Sequence, residues 1–335
     1  MELRSGVEFD AAEPLDVVDH LRSRRLETIV TEPDRLHVST DGSDLFLRIA
    51  NGRIREFPVR ATFVFKLLKW FSFPTRQMSL LSDETMASIL NDYLLRIRSS
   101  EVAVRVENGD ALTILSEKYS PLSDLEVIEQ CDGIGISGVS RDDFQLRLYS
   151  HIQVKTQPVK GDECGLGFNI FNSETGFRSL SISNYVFRYA CSNGMVVSER
   201  GDEWKPQSHY GISADMMRGY LEEKLEVVRK SWRRLEEVLK RSASAPLGEG
   251  MGEEILRRAR PALDATAARR LSVALGGLNL TVYKAVNAVT SEARSLGVTP
   301  RLRLEALAGR MLIGGLSGSE SESSGDSTSG LPIPA

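Results

Sequence analysis

The residues best suited to chemistry fall into a few short patterns. Gly133-Ile-Gly135-Ile-Ser-Gly138 has the G-x-G-x-x-G spacing that lets backbone N–H groups approach a pyrophosphate. That use requires a strand before the glycines and a helix N-terminus after them. Here the following segment, Phe144–Val154, reads as a strand, and no acidic residue falls where a ribose partner belongs. A flexible loop between strands is the better reading. Glu222-Glu223-Lys224, with Asp215 upstream, contains the E-x-K triplet that gathers Mg²⁺ in some nucleases. Within a long amphipathic helix its alternate residues diverge, so a solvated charge run is expected instead. His20, His37, His151 and His209 include no pair at metal-ligand spacing, and Cys131, Cys164 and Cys191 form no C-x-x-C. No G-x-S-x-G elbow is present. The sequence therefore predicts no catalytic residue, no metal and no cofactor. It leans away from an enzyme, leaving only one whose active-site residues are scattered along the chain.

The elements that would position any site divide into three regions. The first carries short strands at His37–Thr40, Asp44–Ala50 and Arg53–Phe57, separated by the hairpin signals Asp41-Gly42 and Asn51-Gly52. An amphipathic helix is expected over Val59–Phe71, ended by Pro74. Its aromatics and lysines suit a core helix with snorkelling lysines better than a membrane-surface or base-stacking helix. Ser82 caps a second helix reaching about Arg98. The middle region predicts strands at Glu101–Val106, Ala111–Leu115, Phe144–Val154, Leu166–Phe171 and within Leu180–Cys191, with a short helix at Asp124–Gln130. The last region is helical. Met217, Leu221, Leu225, Val228, Trp232, Leu235 and Leu239 recur in steps of three and four, which predicts a long helix packed on a partner helix, as in a coiled coil between subunits. Shorter helices follow at Glu253–Arg260, Ala262–Leu275, Leu280–Ser295 and Pro300–Met311. The fold class expected is α+β: an antiparallel sheet with flanking helices, then a helical C-terminal region and a disordered acidic tail. The divisions are placed at 1–212, 213–316 and 317–335.

Charge is unevenly spread along the 335 residues. Residues 1–215 hold 24 Lys and Arg against 32 Asp and Glu, whereas 216–316 hold 18 against 11. The tail from Ser317 adds three acids and no base. A basic module followed by an acidic tail suggests a polyanion partner, or a tail that folds back on that module; solvated helices with ordinary arginine content account for it equally well. The N-terminal residues lack the apolar run of a signal peptide, and no stretch approaches the length of a membrane span. A cytoplasmic protein without membrane contact is expected.

One segment is distinctive. Ser173-Glu-Thr-Gly176-Phe-Arg178 leads into Tyr185-Val-Phe-Arg188-Tyr-Ala-Cys191-Ser192-Asn193-Gly194. It resembles the phage/plasmid-like proteins of domain-of-unknown-function family 932, whose hallmark is an aromatic run ending in Arg, Cys and a Ser/Thr-Asn-Gly triplet. Phe73-Pro74, Leu115-Ser-Glu-Lys-Tyr119 and Tyr283-Lys-Ala-Val-Asn287-Ala-Val-Thr290 fit the same family in order, so the resemblance covers about residues 40–310. The family motif is carried here by Cys191, Ser192, Asn193, Gly194, Asn287 and Thr290. The resemblance implies a role beside DNA by association and brings no mechanism.

The residues add their own reading. Asn193-Gly194 suits a tight turn with positive φ. Arg178 and Arg188 share parity if their segment is one strand, as do Arg147 and Lys155 on the neighbouring one. With Arg233, Arg234, Arg257 and Arg258 from the helices, these would form a basic face that tracks a phosphate backbone. Tyr185, Phe187 and Tyr189 offer stacking surfaces or core filling. The expectation is thus a non-enzymatic, nucleic-acid-associated protein of phage or plasmid type that binds or anneals single-stranded DNA as a homo-oligomer. The alternative is an anti-host accessory protein that binds a host protein, with the tail as recruiting peptide and no nucleic-acid partner.

Overall fold

The computed structural model describes residues 3–74, 78, 80–119, 122–150, 152–190, 193–198, 204–209 and 213–314. The strands are β1 (Phe9–Ala12), β2 (Leu26–Thr31), β3 (Leu36–Thr40), β4 (Leu45–Asn51), β5 (Arg53–Pro58), β6 (Val102–Glu107), β7 (Asp110–Ser116), β8 (Ile136–Arg141), β9 (Leu146–Ser150), β10 (Val154–Val159), β11 (Asp162–Asn172), β12 (Ser181–Arg188) and β13 (Asn193–Val197). The helices are α1 (Pro14–Ser23), α2 (Ala61–Trp70), α3 (Asp83–Arg96), α4 (Asp124–Gln130), α5 (Ala214–Ser242), α6 (Met251–Ala259), α7 (Ala265–Leu275), α8 (Val282–Ala293) and α9 (Val298–Leu312). The named strand pairings are all antiparallel, and the fold is α+β.

Local chemistry sets many of these boundaries. Ser82, Ser213, Asp264 and Thr281 each cap a helix by accepting a backbone N–H bond, and Ser123 with Glu126 forms a full capping box at α4. Asn108 and Gly109 both take positive φ, 52° and 94°, between β6 and β7, the geometry of a mirror-image hairpin turn.

Two small sheets, β2-β6-β7 and β3-β4-β5, close over α2 and α3 around a core that includes Leu47, Phe63, Leu67, Met86, Val104 and Ile114. Helix α2 is the core helix expected, but Lys66 does not snorkel. It is buried, and its Nζ donates to the Gly176 carbonyl at 2.6 Å.

The large sheet runs β1-β8-β9-β11-β12-β13, with β10 also on β11. The single strand expected over Phe144–Val154 is two strands. β9 pairs with Asn169–Asn172 of β11, and β10 pairs farther along it, at Asp162–Leu166. Even-numbered residues of β11 and β12 face α5, where Leu148, Phe168 and Ile182 meet Met217, Leu221, Leu225 and Val228. Leu166 and Val186 meet Leu235 and Leu239 farther along the same helix. The heptad-like stripe of α5 is therefore buried on this chain's own sheet. Toward Leu235 and Leu239 the stripe also shares a core with α6 and α8 of this chain.

Helix α9 covers part of the opposite face, where Leu302 packs with Phe171 and Val196. A Cβ on Gly309 would stand 1.9 Å from the Val196 carbonyl oxygen, so only glycine permits this approach. The helices after Ser213 thus share a core with the sheet, and the division expected at 212 does not separate two cores. The acidic tail lies outside the described residues.

Candidate nucleic-acid interface

The basic residues expected to form one face are distributed over several surfaces. Arg147 on β9 is fully buried, 2.5 Å from Glu305 of α9. Arg178 precedes β12 instead of lying on it, so its parity with Arg188 does not apply; its guanidinium stacks 3.6 Å from the centroid of Phe171. Arg188 holds Asp162 through Nε at 2.7 and 2.9 Å. Lys155 lies on β10, a different strand from Arg147, and pairs with Glu163 at 2.9 Å. Arg257 and Arg258 share Glu254. Arg233, highly exposed, sits 4.0 Å from Glu237, and Arg234 is exposed on the same helix, beyond the even face of the sheet. The continuous cationic groove expected from these residues is not formed. Arg147 and Lys155 do share one sheet face, opposite Phe171 and Gly165 of β11, but Arg188 lies opposite Cys164 on the other face, and most of the guanidinium groups have carboxylates of this chain within reach.

What the odd face of the sheet presents instead is a row of aromatic rings. Tyr149, Tyr185, Phe187 and Tyr189 follow one another with centroids 5.6, 6.3 and 5.3 Å apart. The period of two along β12 places Tyr185 and Phe187 on one face, with Tyr189 just past the strand's end against Phe187, and the register sets Gly167 opposite Tyr185 and Gly165 opposite Phe187. Over Gly165 the space is taken by Ile152, whose side-chain atoms would stand 2.6–2.9 Å from a Cβ there. The row passes from buried Tyr185 through half-buried Phe187 to Tyr189, which is 39% exposed. Cations flank both ends: Arg147 lies 4.3 and 5.3 Å from the Tyr149 and Tyr185 rings, and Lys155 lies 5.1 Å from that of Tyr189.

At the inner end of this row is a cavity of about 400 Å³. Tyr149, Tyr185 and Phe187 contribute its aromatic wall, and Thr290, Arg294, Arg301 and Glu305 its helical side. Gly194 lines it too, and it also lines a neighbouring cleft with Arg188, Tyr283, Asn287 and Thr290. In that cleft Tyr283 Oη donates to Asp162 at 3.0 Å and touches Cys164 Sγ at 3.4 Å. Residues about a hundred positions apart in sequence, Arg188 and Gly194 on one side and Tyr283, Asn287 and Thr290 on the other, thus meet around one seam.

Gly194 is not in a positive-φ turn, as the Asn-Gly pair suggested. It lies in β13 opposite Phe187. A Cβ there would come within 2.5 Å of the Tyr185 ring, so its need for glycine is space. Asn193 starts the same strand, while Cys191 and Ser192 lie outside the described residues, as does His151.

A family model, described as Domain of unknown function (DUF932), matches residues 111–298, more than half of the chain. The chain belongs to the DUF932 family. The DUF932 stretch begins in β7 and ends at the first residue of α9, so it holds the aromatic row, Gly194, Thr290 and Arg294. Asp10, Arg301 and Glu305, which complete the cavity's surroundings, come from outside it. No curated protein and no solved structure matches the chain. Among the described residues, no helix is long and apolar enough to cross a membrane.

Two further clusters escaped the sequence reading. Glu174, at the end of β11, is buried among Arg24, Arg105 and Arg141, with Asp124 beside it. Burial would raise its pKa, but the hydrogen bond from Arg24 and the charges of Arg141, Arg24 and Arg105 hold it down to about 2. Glu107 and Asp143 join through Arg60, tying the small sheets to the large one. The second cluster joins Tyr119, whose hydroxyl donates to the Ser173 carbonyl and contacts His209 Nδ1, to Lys66 beneath Gly176. Burial, with the nearby Lys66, pushes the imidazole down to about 4. Both rely on contacts across 50 or more positions, which no local motif signals.

Proposed function

We propose that this DUF932 protein is a non-enzymatic, single-strand nucleic-acid-binding protein of phage or plasmid type, with the aromatic row of β9 and β12 as its contact surface. The observation that carries this reading is the graded exposure of Tyr185, Phe187 and Tyr189 along the row, with Lys155 beside the outermost ring. Bases expose a π-face whatever their identity, and aromatic platforms hold them with about 1–3 kcal/mol per stacked base. Because most of the arginines named above hold carboxylates, stacking and not phosphate neutralisation supplies the affinity. Anisotropy titrations with short single-stranded DNA and RNA across salt test this. Binding with a shallow salt slope supports it, and no binding at low salt overturns it.

A second reading, a protein-interaction or anti-host accessory role, draws support from the same internal pairing of the arginines. It gains if oligonucleotides fail to bind while the chain stays folded.

A further inference from the structure

We infer that the cavity at the inner end of the aromatic row seats a single nucleotide, its base on the rings and its phosphate on the α8–α9 side. This deepens the single-strand reading and rests on it only for the strand outside the cavity. The volume, about 400 Å³, lies within the range of small-molecule sites. The wall of Tyr149, Tyr185 and Phe187 provides the apolar, ring-bearing surface that a planar heterocycle needs, and Glu305 provides an acceptor for an exocyclic amino group. Arg294 and Arg301 line the opposite side, where an anionic group would lie.

The surroundings are pre-arranged. Arg301 grips Asp10 through both terminal nitrogens at 2.5 and 2.6 Å. Asp10 accepts from Ser140, whose hydroxyl meets Tyr149 Oη at 2.7 Å. This chain fixes the ring and the guanidinium on opposite flanks of the same opening. Meanwhile the Nε of Arg301 is buried without a hydrogen-bond partner, a donor left for something to satisfy. Gly138 lines the cavity, and a Cβ there would make only ordinary contacts, 3.6 Å from the Ala12 carbonyl and 3.8 Å from Tyr149, so the backbone itself tolerates a side chain at this position.

The test is calorimetric titration of the full chain with the four deoxynucleoside 5′-monophosphates and the matching nucleosides, run beside the oligonucleotide assay. Wild type is expected to bind at least one monophosphate at least tenfold more tightly than its nucleoside. Gly138→Leu should abolish both, while Arg294→Gln, at an exposed position, should erase the preference for the monophosphate with the far-UV circular dichroism spectrum unchanged. If oligonucleotides bind but no monophosphate does, the inference falls and the single-strand reading stands. If monophosphates bind and oligonucleotides do not, the single-strand reading falls and the seat remains. Binding that ignores both substitutions, or equal binding of benzoate, overturns the assignment of the cavity to a nucleotide.

Discussion

Gly194 of β13 lies directly beneath the ring of Tyr185, so close that a Cβ would fall 2.5 Å from the ring edge. The aromatic row and Gly194 are therefore packed as one unit. Gly194→Ala is expected to cost about 1–3 kcal/mol through overpacking and to tilt Tyr185 out of the row. Urea unfolding gives the first number, and an unshifted midpoint would show that the ring yields freely.

Stacking should follow exposure along the row. Tyr189→Ala and Phe187→Ala are each expected to weaken single-strand binding about 5- to 100-fold, with little change in the salt slope. Loss of affinity confined to low salt would place the contact on phosphates instead.

The helix arginines should matter little. Arg233→Glu and Arg257→Glu lie on exposed surfaces away from the row and are expected to change stability by under about 0.5 kcal/mol. Single-strand affinity should also stay within about twofold, and a larger loss in the anisotropy titration would restore the helices to the interface.

Arg147 and Glu305 are a fully buried pair joining β9 to α9. Arg147→Met alone should cost about 3–5 kcal/mol, because it strands a buried carboxylate, and the double variant Arg147→Met/Glu305→Leu should recover much of that loss. A double-mutant cycle from denaturant curves measures the coupling, and additive losses would remove the pair from the account.

Lys66 gives a pH signature. Burial, assisted by the charge of Lys69, lowers its pKa from 10.5 to about 7. The unfolded chain therefore holds the proton over a window, from about pH 7 to 10.5, in which the folded chain has released it. Stability from this group is lowest below pH 7 and rises with pH through the window. Relative to Lys66→Met, wild type should gain about 2 kcal/mol between pH 7 and 9. Parallel pH profiles would mean the amine stays charged against the Gly176 carbonyl.

Much of the fold was legible locally. The hairpins at Gly42, Gly52 and Gly109, the cap of α3 at Ser82 and the helix Asp124–Gln130 follow from turn chemistry and capping, which act within a few residues. β8 was not legible, since Ile136–Arg141 is largely small and polar and is held by pairing between β1 and β9. Nor was β13, whose Asn-Gly start mimics a turn. The aromatics at 185, 187 and 189 were visible as a stacking candidate, whereas the arginines around them suggested a surface that the ion pairs dispersed.

By itself the sequence determined the α+β class, the family and most element boundaries, because period, propensity and caps are properties of neighbouring residues. Only the tertiary structure decided which charges remain available, that α5 spends its apolar stripe on its own sheet, and that Gly194 and Thr290 flank one cavity. Those outcomes depend on which distant side chains arrive within a few ångströms of each other, and the order of residues along a chain does not encode such distances locally.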